Sequence, residues 1–433
     1  MSEKIYIKDV RTYITSKKSG GDYHLQEEGH WISDTVIANP MSPYPEYKQT
    51  RTSWGIGVLG SVIVEIELSN GIVGVASGLG GKPASWLIQN HFKRFLINQN
   101  PKNLNLIWEH MFRASQFYGR KGITVCAISV IDLAIWDALG ILRNEPVMEM
   151  IGGKVRDEIH FYCTGPNPVA VKKMGFWGSK VPLPFGPADG HEGLEKNYNY
   201  LKKHRESVSN DFPLMVDCFM SLNVQYAIQL AKRCEDLNIN WWEEVLHPDD
   251  IDGYKQIKRA HPDKKWTTGE HEYTRYGFRQ LIETKSIDIL QPDVMWVGGM
   301  TELLKISAMA AAYDLPVVPH GSGPYSSHFI FSQPHSPFCE YIAASPDGKS
   351  VIPMFPYFEG EQIPINGKVQ IPNKPGFGYR MDDSIILDNK VLEGTIYSVA
   401  EVIASPSNVV RRILDEHDID KTTEDYLSRI AKE

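Results

Sequence analysis

Leu214-Met215-Val216-Asp217 is a short apolar run that closes on an acid, and this ending recurs down the second half of the chain. Trp241-Trp242-Glu243, Trp266-Thr267-Thr268-Gly269-Glu270, Ile289-Leu290-Gln291-Pro292-Asp293 and Val317-Val318-Pro319-His320 each close in the same way on an ionisable residue, and Glu340 stands on a further run. The six positions are spaced by 20 to 27 residues, the length of one strand–helix unit. In a (β/α)8 barrel every strand C-terminus faces one mouth, so residues distant in sequence meet there. The rhythm therefore predicts a barrel with an ionisable site at that mouth.

Working outward, strand text is expected at Glu158–Cys163, Phe176–Val181, Leu214–Phe219, Asn240–Val245, Trp266–Glu270, Ile287–Gln291, Leu315–Pro319 and Glu340–Ile342. Helical spacing appears between them, as in Val224–Leu237 and Thr301–Tyr313. The first 150 residues read differently, as α+β: strands at Ile5–Ile14 and Ser61–Leu68, then a helix from Ile123 to Leu142. Residues 17–55 form a long polar segment, the kind of loop that acts as a lid or binding loop in a compact domain. After Ser345 the strand–helix alternation stops, Pro- and Gly-rich text runs to Gly378, and the tail is charged, with a helical stretch at Ser407–His417.

The 433 residues are enough for two domains with substantial cores. A net charge of −8 without a long Lys/Arg cluster excludes a nucleic-acid binder. Five scattered cysteines without metal-type spacing read as reduced thiols. The N-terminus has acids and no apolar core of a secretory signal, and no uninterrupted apolar run approaches a bilayer span. A cytoplasmic protein with no membrane partner is expected.

Asp217, Glu243 and Glu270 suit Mg²⁺, a hard ion that prefers oxygen ligands and keeps positions open for water or a chelating substrate. A hydroxy acid could fill two of these with a carboxylate oxygen and its 2-OH. Glu244 competes with Glu243. Neighbouring strand residues point to opposite sides, so only one of the two faces the ion, and spacing does not choose. Asp293 and His320 end what would be neighbouring strands, where the carboxylate can accept the imidazole N–H and raise its basicity. Glu340 follows, placed to donate to or balance an oxyanion if protonated.

These residues, with Ile131-Asp132-Leu133-Ala134-Ile135-Trp136-Asp137-Ala138-Leu139-Gly140, Pro146, Gly152-Gly153 and Pro375-Gly376-Phe377-Gly378, resemble the enolase superfamily, mandelate-racemase subgroup, over about residues 1–382. The resemblance implies an α/β fold: a (β/α)7β TIM-like barrel with an N-terminal α+β capping domain. It divides the chain into a cap with lid loops (1–151), the barrel (152–354), a return to the cap (355–385) and a C-terminal extension (386–433). It also implies one Mg²⁺ on Asp217, Glu243 and Glu270, which settles the glutamate doublet toward the first, and a homo-oligomer.

Two departures narrow the reaction. The subgroup often carries Lys-x-Lys at the end of the second barrel strand, with the second lysine as a base; here the text is Lys180-Val181-Pro182. Lys180 can still help bind a substrate, but Pro182 cannot carry a proton. A racemase needs proton-handling groups on both faces of a carbanion, so one surviving face favours β-elimination.

The lid text Gly20-Gly21-Asp22-Tyr23-His24, His30-Trp31 and Lys48-Gln49-Thr50-Arg51 resembles that of L-rhamnonate dehydratases, as do Phe161–Gly165, Gly269-Glu270-His271 and the Pro319–Ser322 turn. In that family the His24 and Arg51 positions contact substrate from the cap, His271 is a further candidate, and His30 reads as packing. The expectation is Mg²⁺-dependent dehydration of a six-carbon sugar acid, L-rhamnonate first, by Asp293, His320 and Glu340. The rivals are another aldonate, a racemase or cycloisomerase, and a non-catalytic barrel.

Overall fold

The structure is a computed structural model that describes residues 4–15, 31–44, 59–355, 357–382 and 387–388. His24, His30 and Arg51 lie outside the described residues.

The cap begins with an antiparallel sheet of β1 (Ile7–Thr15), β2 (Ser61–Leu68) and β3 (Val73–Leu79), with residues 387–388 paired on the free side of β1. β2 and β3 form a hairpin whose turn needs Gly71 at φ +87°. One face of this sheet lies on helix Ile123–Arg143, which is apolar almost all round and ends at left-handed Asn144. By length and composition that helix could cross a bilayer, but most of it is buried inside the fold, as expected of a core helix. The approach is close: a Cβ on Gly74 of β3 would lie 2.3 Å from the Ala138 nitrogen.

The barrel strands run parallel in the order β4 (Glu158–Thr164), β5 (Ser179–Pro182), β6 (Leu214–Asp217), β7 (Ile239–Glu243), β8 (Trp266–Thr268) and β9 (Ile289–Leu290), and β10 (Cys339–Ile342) pairs in parallel with β4. The expected strand at Leu315–Pro319 appears only as isolated bridges, Val317 to Leu290 and His320 to Asp293. Pro316 and Pro319 have no N–H to give to a ladder, so pairing here is intermittent. Strands also stop sooner than expected. β6 ends at Asp217 because Phe219 and Met220 turn to φ 44° and 57°. Helices start where polar side chains catch their first N–H groups: Asn223 accepts from Tyr226 and Asp250 from Gly253.

The cap helix is fastened to the loop after β9. Ser129 Oγ accepts the Gly298 N–H, Asp132 accepts the Thr301 N–H, and the Trp108 indole donates to the Gly298 carbonyl. Gly299 has φ +78° and a Cβ there would meet Asp132 Oδ2 at 2.4 Å, so a glycine is required. The return segment meets the same helix from the other side, where Asp137 accepts N–H groups from Val75 of β3 and Phe377 at 2.9 Å each.

Burial pushes the Asp132 and Asp137 carboxyls up to about 7, outweighing the N–H groups that favour their anions. A folded value above the unfolded one means that the stability from these groups is complete below about pH 4 and is lost as pH rises through about 7. Asp137→Asn turns an amide N–H₂ toward one backbone donor, so it is expected to cost about 1–3 kcal/mol and to flatten that fall. Chemical denaturation of both proteins across this range checks it; an unchanged midpoint at every pH would show that the Asp137 tie contributes nothing.

Candidate active site

Three neighbouring strand ends set the acids at one level. Pro182 of β5 is in register with Asp217 of β6, and Asp217 with Glu243 of β7. Glu270 follows Gly269, whose φ is +134°. A Cβ at Gly269 would stand 3.0 Å from the Phe278 ring and 3.1 Å from the Gln291 nitrogen, so only glycine is admitted. Asp217, Glu243 and Glu270 are buried, and each offers an oxygen within 4.8 Å of the others.

The glutamate doublet separates cleanly. Glu243 turns to Asp217, whereas Glu244, at φ 42°, turns to His271 Nδ1 at 2.8 Å. Glu244, Glu270 and His271 form a second group with the same spacing. The all-carboxylate group suits a hard divalent ion better, and His271 already spends its Nδ1 on Glu244.

Electrostatics support that choice. Burial raises the proton affinity of Asp217, Glu243 and Glu270; neighbouring acids raise it further, Glu270 and Glu340 acting on both Asp217 and Glu243, and Glu244 on Glu270. The opposing cation is Lys180, fully buried, whose Nζ binds Glu243 and lies 3.2 Å from Asp217 and 2.8 Å from Glu340. Glu243 also accepts from the Trp241 indole at 3.1 Å and from Gln291. Glu270 Oε2 is buried and, among the described residues, accepts no hydrogen bond. A buried carboxylate oxygen without a donor, in a cluster with more anions than cations, is what a Mg²⁺ site needs. Lys180, read from the sequence as able to help bind a substrate, is held among the carboxylates.

The Asp293–His320 pair lies beside them. His320 Nδ1 is 2.6 Å from Asp293 Oδ2, and its Nε2 is 3.4 Å from Glu270 Oε2. Burial disfavours the imidazolium, but Glu270, Asp293 and Glu340 outweigh it and raise the His320 value. Glu340 behaves oppositely: burial favours its neutral form, yet Lys180, His320 and the Thr164 hydroxyl hold it down to about 2. Its second oxygen accepts the Gly321 N–H at 2.9 Å. The sequence reading let Glu340 donate only if protonated, and this environment favours its anion; the donors to it are Lys180, Thr164 and the Gly321 N–H.

The structure thus brings Asp217, Glu243, Glu270, Asp293, His320 and Glu340 to one mouth. It adds three residues that sequence reasoning missed: Thr164 on Glu340, Ser322 on Asp293 at 2.9 Å, and Trp296, whose ring centroid is 5.2 Å from both His271 and His320. Thr164 and Ser322 lay in stretches with a family likeness, but no spacing rule ties a lone hydroxyl to a carboxylate in another segment.

Residues 48–152 match the N-terminal domain of the mandelate racemase/muconate lactonizing enzyme family, and residues 170–385 match the enolase C-terminal domain-like family. The crystal structure of a rhamnonate dehydratase from Gibberella zeae, complexed with Mg, is 58% identical and superposes with a TM-score of 0.88, over 91% of this chain and 99% of that one. The chain belongs to the enolase superfamily. A protein of Caldivirga maquilingensis that carries the provisional name L-rhamnonate dehydratase is 46% identical over 382 residues, 88% of this chain and 96% of its own length. More distant is a 3,6-anhydro-D-galactonate cycloisomerase from Zobellia galactanivorans, at 27% identity and a TM-score of 0.69 over 87% of this chain and 97% of that one. Within this superfamily the cap-and-barrel architecture described above is the shared frame.

The carboxylate cluster makes a thermal prediction. Mg²⁺ at about a hundredfold over its Kd is expected to stabilise the protein by about 2.7 kcal/mol. Glu270→Gln removes one repelling anion, so this variant should melt no earlier than wild type in EDTA and show no Mg²⁺-dependent rise. Melting curves with and without the ion decide it, and a full Mg²⁺ shift in the variant would remove Glu270 from the ligand set.

Proposed function

We propose that this chain is a Mg²⁺-dependent hydro-lyase that converts L-rhamnonate to 2-keto-3-deoxy-L-rhamnonate and water. The observation that carries it is the single-sided site: His320 stands on Asp293 at the barrel mouth, while Pro182 occupies the position beside Asp217 where a second base would have to stand. Identity of 58% to a rhamnonate dehydratase along nearly the whole of that chain supports the substrate.

Asp217, Glu243 and Glu270 are the residues that would hold Mg²⁺, which when bound supplies stabilisation of the negative charge that develops on the carboxylate and 2-OH end of a sugar acid. His320 Nε2 takes the C2 proton, while Asp293 accepts the Nδ1–H and so fixes the tautomer with a basic Nε2. The electron pair left at C2 forms the C2–C3 double bond as the C3–O bond breaks. The imidazolium of His320 gives its proton to the departing 3-OH, which leaves as water, and the enol tautomerises to the 2-ketone. Glu340 and Lys180 set the charge around the substrate's oxygens, with Glu340 anionic and Lys180 cationic.

His24 and Arg51 are read as substrate contacts from the lid, Arg51 through its guanidinium; their support is the family likeness of the lid text. We read residues 1–151 as cap, 152–354 as barrel, 355–385 as return and 386–433 as extension, with residues 387–388 at the start of the extension pairing with β1. A cytoplasmic homo-oligomer completes the reading.

Incubation with Mg²⁺ and a panel of aldonates is expected to give a 2-keto product, read as semicarbazone absorbance, from L-rhamnonate, and EDTA should abolish it. Turnover of another aldonate with none of L-rhamnonate would overturn the substrate and leave the reaction class. His320→Asn is expected to lower kcat by about 10²–10⁴-fold while keeping the Mg²⁺-dependent rise in melting temperature. Near-wild-type turnover by that variant would take the proton from His320.

A further inference from the structure

The carboxylate of Asp293 is divided between two tasks. Its Oδ2 faces His320 Nδ1 at 2.6 Å, and its Oδ1 accepts the Ser322 hydroxyl at 2.9 Å and the Met295 N–H at 2.7 Å. Asp293 and Ser322 are both fully buried, so water does not compete for these bonds. Among the described residues, the other acceptor near the Ser322 hydroxyl is the His320 carbonyl, farther away at 3.3 Å. Ser322 is itself placed, because its N–H points to Ser326 Oγ at 3.3 Å, in the first turn of helix Pro324–Ser332.

A carboxylate on a strand end has one soft torsion, and its two oxygens are chemically equivalent. The Met295 N–H alone fixes one point and leaves rotation about it. The Ser322 hydroxyl, arriving from the segment that also carries His320, fixes a second. The turn His320-Gly321-Ser322 therefore serves three groups at once: it carries the imidazole, gives its middle N–H to Glu340 at 2.9 Å, and locks the partner of the imidazole with its third residue.

We infer that Ser322 is a positioning residue for proton transfer, holding the Asp293 carboxylate so that Oδ2 stays in line with His320 Nδ1 and the imidazole presents Nε2 to the substrate. The inference rests on the proposed dehydration. Ser322 touches no reacting atom and acts through Asp293. Hydrogen bonds to a charged group in a buried setting are the strong kind, and losing the donor leaves Oδ1 short of a partner.

The experiment is a double-mutant cycle on L-rhamnonate turnover. Ser322→Ala is expected to lower kcat by about tenfold to a hundredfold, with KM and the Mg²⁺-dependent melting shift unchanged. Ser322→Cys, with a weaker donor of similar shape, should recover part of the loss. In the Asp293→Asn background, Ser322→Ala should have little further effect, because the carboxylate it positions is gone. Wild-type kcat for Ser322→Ala, or losses that simply multiply in the double variant, would overturn the role. A wild-type enzyme that leaves L-rhamnonate untouched but dehydrates another aldonate overturns only the substrate, and the cycle is then run on that acid.

Discussion

Among the described residues, four carboxylates sharing one buried pocket with a single lysine is the constraint on which the rest of this structure turns. Asp217, Glu243, Glu270 and Glu340 are each almost wholly buried, and Lys180 reaches three of them. Burying like charges together is unfavourable unless cations or donors answer them. The chain answers in part, with Lys180, the Trp241 and Gln291 side chains, Thr164 and the Gly321 N–H. The remainder, centred on the donorless oxygen of Glu270, is left for a divalent ion. Backbone conformations that L-residues rarely adopt gather at the same place: Phe219, Met220 and Glu244 all have positive φ just beyond strand ends. Such conformations persist where surrounding structure over-determines them, and here they aim acids inward.

The second level of control comes from the cap. Helix Ile123–Arg143 grips the loop after β9 through Ser129 and Asp132, helix Leu104–Ser115 adds Trp108, and that loop leads directly from Asp293. The cap is therefore a support for the Asp293–His320 pair. The buried tie at Asp137 joins β3, the cap helix and the return segment in one hydrogen-bonded knot. Movement of the cap against the barrel would have to break these bonds, so the frame around Asp293 is stiff where proton transfer needs fixed geometry.

Much of the fold was legible because strand-end chemistry repeats at the length of a βα unit. The weakest element was also explicable: Leu315–Pro319 carries strand-like side chains, but Pro316 and Pro319 break its ladder, so apolar patterning overstated its regularity. Strand ends were overrun by a residue or two at β6, β7 and β8, where the chain leaves the sheet through positive-φ residues or Gly269, a choice that patterning does not encode. Lys180 was legible as an oddity of the second strand, but its partners were not, since they arrive from β6, β7 and β10.

The sequence by itself determined the barrel and the kind of residue at each strand end, because these depend on local order along the chain: apolar runs, spacing and residue type. That Pro182 stands where the subgroup often carries a second lysine is what the family resemblance implies. Spacing left Glu243 and Glu244 open and the family resemblance pointed to the first; tertiary structure shows how they separate, with Glu244 on His271, and it alone decided that Glu340 is held as an anion and that Ser322 rests on Asp293. The reason is physical. Side-chain direction at a strand end follows from a backbone turn set by neighbouring strands, and the charge state of a buried acid follows from every group packed around it. Both are sums over residues far apart in sequence, and they exist only once the barrel has closed.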